Sequence, residues 1–160
     1  MNHPLAPYLK RFFSDYLPLQ KGLSTHTVAA YRDAVKLLLC YLADTLNRSV
    51  DTLDVETISP ERVSHFLDHL EQVRGCRANT RNARLAAVRT LFAFIAREEP
   101  VLMLQCQAIR TLPLKRAEHK TVAYLEEGEM QALLDAVDLD ARTGVRDRAL
   151  LLVLYNTGAR

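Results

Sequence analysis

RGCRANTRNARLAAVRTLFAFIAR, residues 74–97, sets the architecture of this chain. Leu85, Val88, Leu91, Phe92 and Ile95 recur at the three- and four-residue spacing of one helix face, and Asn79 or Thr80 reads as its cap. The predicted helix runs to about Arg97, where Glu98, Glu99 and Pro100 stop it. The same stretch carries six arginines, at 74, 77, 81, 84, 89 and 97, and no acidic residue. Arginines gathered on one helix suit a polyanion, although a solvated helix face also reads this way. At 100° per residue, Arg89 and Asn82 project away from the apolar stripe, and Arg81 and Arg84 lie near its edge.

Outward from this helix the chain reads as further helices. Upstream, Ser59 and Pro60 open a helix with Val63, Phe66, Leu67 and Leu70 inside, and Gly75 ends it. Residues 47–58, rich in Asp and Thr, read as a connection. Ser24 caps a helix to about Leu46, striped by Tyr31, Val35, Leu38, Leu42 and Leu46. Thr25, Ala29, Arg32 and Lys36 stack on another, mostly polar side of it. A first helix covers residues 4–17, with Pro18 just past its end. Four amphipathic helices in about 100 residues can close a small core.

Downstream, residues 101–110 suggest a short helix. The polar, basic run PLKRAEHK, residues 113–120, reads as a linker. Residues 125–137 are helical, with Met130, Leu133, Leu134 and Val137 on one side. After Gly144 a helix over residues 145–156 is apolar nearly all round, so it is expected to need neighbours that bury it. The expected organisation is mainly α: residues 1–112 as one helical unit, 113–120 as linker, and 121–160 as the opening of a larger domain.

The composition fits a folded chain. Of 160 residues, 49% are apolar and 25% charged, which excludes disorder over the whole length. The longest apolar runs fall far short of the roughly 20 residues a membrane span needs, and no signal peptide is visible. Three scattered cysteines, Cys40, Cys76 and Cys106, fit a reducing cytoplasm better than a disulfide scaffold. Residues 1–115 hold 15 basic and 11 acidic side chains, whereas residues 116–160 hold 6 and 8. His65 and His69 stand one helical turn apart, a spacing that suits a metal, but no third ligand is evident and half-buried histidines are expected.

Four segments in order resemble the tyrosine recombinase (phage integrase) family. STHTVAAYRDAVKLLLCYL, residues 24–42, is similar to the second helix of that family's SAM-like core-binding domain. NTRNARLAAVRTLFAFI, residues 79–95, is similar to its fourth helix, although Glu99 stands where many relatives have Asn. Residues 113–134 resemble the linker and first catalytic-domain helix. RDRALLLVLYNTGAR, residues 146–160, resembles the start of the catalytic domain, whose Thr-Gly-small turn precedes an arginine.

The resemblance implies a chemistry, a partner and an assembly. A clamp of arginines, a lysine and other donors holds the scissile phosphate, and a tyrosine attacks it to form a 3′-phosphotyrosyl link, without metal or other cofactor. Arg160 matches the first catalytic arginine. None of the six tyrosines resembles the nucleophile, so this stretch by itself is expected to bind DNA without cleaving it. Double-stranded DNA is the implied partner, met by Thr25, His26, Arg32 and Lys36 from the second helix and by Asn79, Thr80, Arg81, Asn82, Arg84 and Arg89 from the fourth. The family assembles as tetramers on DNA, while this stretch is expected to be monomeric or to self-associate weakly through residues 145–155. A non-enzymatic helical interaction module and a truncated DNA-binding regulator remain the alternatives.

Overall fold

The computed structural model describes residues 2–117 and 124–158. It divides into two compact units, Met1–Glu118 and His119–Arg160. Among the described residues the only extended pairing is an isolated antiparallel bridge between Pro4 and Asp54.

The first unit holds five helices: α1 (Leu5–Arg11, continued by wider turns over Phe12–Gln20), α2 (Thr25–Leu46), α3 (Pro60–Gln72), α4 (Ala78–Glu98) and α5 (Met103–Arg110). α4 is the central element and packs on α2, α3, α5 and the α1 extension. Phe12, Leu17, Leu38, Leu42, Phe66, Leu67, Leu70, Leu85, Leu91, Phe92 and Ile95 are fully enclosed. Phe12 and Tyr16 stack at 5.8 Å and both meet Phe94, so α1 covers a second side of α4. Cys106 on α5 is buried as well, and desolvation pushes its thiol up to about 11 despite Arg110 nearby.

Both serine caps form. The Ser24 hydroxyl accepts from the Thr27 N–H and the Ser59 hydroxyl from the Arg62 N–H, each at 3.3 Å. Pro60 occupies the first turn of α3, where its missing N–H is not required. Gly75, at φ +62°, takes the left-handed conformation that lets the Cys76 N–H return to the Leu70 carbonyl at 2.9 Å.

Three expectations need correction. The first helix does not stop before Pro18 but carries it inside turns one residue wider than α, and the Lys21 N–H reaches the Tyr16 carbonyl. Proline lacks the donor an α-helical ladder needs and crowds the carbonyl four residues back, and the wider turn accommodates both defects. α4 begins two to three residues earlier than expected. Arg77 is its N-cap, with no side-chain bond, and Asn79 and Thr80 lie inside the first turn. The connection 47–58 is not merely polar. Leu53, Val55 and Ile58 are buried, and the Gln105 amide of α5 donates to the carbonyls of both Val55 and Ile58.

The second unit holds α6 (Glu127–Asp135) and α7 (Gly144–Thr157). Glu126 and Glu129 cap α6 reciprocally. Gly144 is required where it stands, because a Cβ there would lie 1.8 Å from the Asp138 carbonyl oxygen. Met130 and Leu134 are buried, but Leu133 is exposed. α7, the helix expected to need further neighbours, leaves Val145, Leu150, Leu152, Val153, Leu154 and Tyr155 exposed. Its only packed helical neighbour among the described residues of this unit is α6, and one short helix covers one side only.

Candidate nucleic-acid interface

α2 delivers its candidates as expected. Its core stripe places Val35, Leu38 and Leu42 inward, and Thr25, His26, Arg32 and Lys36 are exposed. Among the described residues, His26, Arg32 and Lys36 make no hydrogen bond or ion pair to protein. The Arg32 guanidinium carbon lies 5.8 Å from the centroid of the Phe13 ring, a cation–π contact on an otherwise exposed side chain. Arg32, Lys36 and Lys10 rim a shallow groove floored by Leu9, Phe13, Val35 and Leu39.

α4 splits the expected arginine cluster in two. Arg74, Arg77 and Arg97 are exposed, as are Asn79 and Thr80. Arg97 rests over the Tyr16 ring at 5.3 Å. Arg81, Asn82, Arg84 and Arg89 are only half-exposed and have protein partners. Arg84 donates to the Cys76 sulfur at 2.9 Å. Arg89 donates to the Leu112 carbonyl and Arg81 to the Pro113 carbonyl. Asn82 bonds the main chain of Lys115. The expectation that Arg89 and Asn82 project away from the apolar stripe is consistent with this. What occupies that side is a returning segment of the same chain, residues 112–115.

The electrostatics follow. Glu71 of α3 takes the Lys115 ammonium at 2.9 Å and lies 3.9 Å from the Arg81 Nε, so part of the local positive charge is matched within the unit. The Nε atoms of Arg81 and Arg89 are buried without a hydrogen-bond partner. Two further acids sit away from this surface. Glu99 accepts from the Tyr8 hydroxyl, whose pKa is raised by burial and by that carboxylate. Glu56 is bonded by His3.

Arg160 lies outside the described residues, as do His119 and Lys120 of the basic run. His65 is exposed and His69 half-buried, its ring 5.0 Å from that of Tyr41. Among the described residues no three His, Cys, Asp or Glu side chains gather in a way that could hold a metal ion. No described helix is long and apolar enough to cross a membrane.

Sequence reasoning missed Arg77 as a candidate contact. It opens α4, is exposed, and stands beside Asn79 and Thr80. A basic residue just ahead of a predicted cap was the available signal.

The first unit is a small helical domain with an exposed basic residue, Arg77, at the start of α4. Comparison with known proteins gives it a family. Residues 9–99 match the family described as phage integrase, N-terminal SAM-like domain. The chain is 37% identical over 156 residues to the Sinorhizobium fredii protein designated integrase/recombinase y4rD, covering 98% of this chain and 56% of that protein. It is 31% identical over 160 residues to the tyrosine recombinase XerD of Staphylococcus epidermidis, covering all of this chain and 50% of that protein. The chain belongs to the tyrosine recombinase family. It spans about half the length of the curated relatives it matches.

Proposed function

We propose that the first unit grips duplex DNA for a site-specific recombinase. The contacts assigned are Thr25, His26, Arg32 and Lys36 on α2 and Arg77, Asn79 and Thr80 at the start of α4. The observation that carries this reading is the state of α2: four polar or basic side chains held outward by a fixed core stripe, with the Arg32 and Lys36 side chains in no ion pair or hydrogen bond among the described residues. Arg32 and Lys36 take phosphates, which supplies affinity and its salt dependence. In this reading Asn79, Thr80 and Arg77 meet base edges, where an asparagine pairs best with adenine and an arginine with guanine. The N-terminus of α4, a helix of 21 residues, adds favourable dipole charge toward a phosphate. Strand breakage and rejoining through a phosphotyrosyl link, and assembly on DNA, belong to this proposal for the whole protein, with Arg160 as one member of the phosphate clamp.

Fluorescence anisotropy against a labelled duplex across a salt series tests it. Binding is expected to weaken steeply with salt and to be competed by unlabelled duplex. A folded chain that ignores duplex at low salt but binds an acidic protein would establish the interaction-module alternative instead.

A further inference from the structure

Residues 112–115 follow α5 with no helix of their own, yet side chains of α3 and α4 hold them. Asn82 contributes most. Its amide nitrogen donates to the Lys115 carbonyl at 2.7 Å, and its amide oxygen accepts from the Lys115 N–H at 3.0 Å. One side chain thus satisfies both main-chain groups of one residue, as a paired strand would. Arg89 donates to the Leu112 carbonyl, and Arg81 reaches the Pro113 carbonyl at 3.5 Å. The Lys115 ammonium meets Glu71 at 2.9 Å, and Leu112 packs against the core. Pro113 has no N–H to leave unpaired and favours an extended backbone before it.

These bonds go to main-chain groups 23 to 33 residues away in sequence. They bind a strap of backbone, not the identity of its side chains. Their donors are the very residues whose type suggests DNA contact.

We propose that Asn82 is a positioning residue. With Arg89 and the Glu71–Lys115 pair it fastens residues 112–115 to α3 and α4, so the chain leaves the first unit at Lys115 instead of at the end of α5. What the fastening serves rests on the DNA reading above. A fixed departure point restricts where the following segment can search, which raises its effective concentration on a duplex already held by the first unit.

The test uses the whole chain and Asn82→Leu, with Asn82→Asp as the milder variant that keeps an acceptor for the Lys115 N–H and loses the donor. Hydrogen exchange at the Lys115 amide is expected to accelerate about ten-fold or more in Asn82→Leu, and less in Asn82→Asp. Trypsin is expected to cut faster after Lys115 and Arg116, while the melting of the helices stays close to wild type. Unchanged exchange and cleavage would overturn the fastening. Arg89→Gln is then titrated with duplex across salt. An unchanged salt slope supports a role inside the protein. A slope smaller by about one places the Arg89 guanidinium on a phosphate and overturns the assignment. A wild-type chain that binds no duplex sinks the DNA reading alone, and the exchange result still decides the fastening.

Discussion

α2 and α4 are almost equal in length, 22 and 21 residues, and the sequence reads both as carrying polar and basic side chains toward a partner. On α2 those side chains stand free. On α4 most of them are engaged by the protein itself. The difference lies in what flanks each helix. α2 is buried along one stripe and leaves its opposite side to solvent. α4 is the hub, covered by α1, α2, α3, α5 and finally by residues 112–115. Of its surface only Asn79, Thr80, Ala83, Ala86 and Arg97 remain exposed. A basic side chain on a peripheral helix is available to a ligand, whereas the same side chain on a central helix finds a carbonyl first.

The largest expected effect abolishes the contrast altogether. Phe92→Ala removes a fully enclosed ring that supports both helices, at an expected cost of about 3–5 kcal/mol in urea or thermal unfolding. Arg81→Ala sharpens the contrast from the α4 side. Its side chain is 12% exposed and sits between Glu71 and the Pro113 carbonyl. The loss is expected to be about 1–3 kcal/mol of stability with no change in the salt slope of DNA binding. Ser24→Ala strips the cap of α2 and is expected to cost about 1 kcal/mol, weakening duplex binding only as far as the first turn frays. The paired change Arg32→Ala, Lys36→Ala should do the reverse of Arg81→Ala. Stability should stay within about 0.5 kcal/mol, while the salt slope falls by about two. If the two sets exchange phenotypes, the division between the helices is wrong.

The smallest effect is a pH dependence remote from both helices. Burial pushes the Glu56 carboxyl up, but hydrogen bonds from the His3 ring and backbone outweigh it and leave the folded-state value below the ordinary 4.5. A depressed carboxylate contributes stability that is present above the unfolded value and fades as pH falls through the folded one. Glu56→Gln should therefore lose a small increment near neutral pH and converge with wild type in acid below 4.5. Acid melting curves of the two proteins, compared with their duplex affinity at neutral pH, would show whether this arm is separate from the binding surface.

Much of the helical order was legible because it depends on neighbours in sequence. Ser24 and Ser59 are caps by local chemistry, and Val35, Leu38 and Leu42 or Val63, Phe66 and Leu70 declare a buried side by spacing alone. What neighbours in sequence could not show was set by distant parts of the chain. Pro18 stops an α-helix but not a wider turn stabilised by Phe12 and Tyr16 against Phe94. Leu53, Val55 and Ile58 looked like a loop because their partner, Gln105, lies about 50 residues on. For Arg81, Asn82 and Arg89 the residue types are equally suited to a phosphate, a base edge or a carbonyl. Only tertiary structure shows that residues 112–115 return to them.

The N-terminal arm carries a consequence for the order of folding. His3 accepts from the Val55 N–H at 2.9 Å, Leu5 donates to the Leu53 carbonyl at 3.4 Å, and Pro4 bridges Asp54. These contacts close a ring of about fifty residues that contains all of α2. Ring closure of that size costs entropy before any contact repays it, so the arm has nothing to settle on until α2 and the connection are in place. The arm is therefore expected to dock only after α2 and the connection have formed. Early in a refolding time course the Val55 amide should still exchange freely while the amides of α4 are already protected.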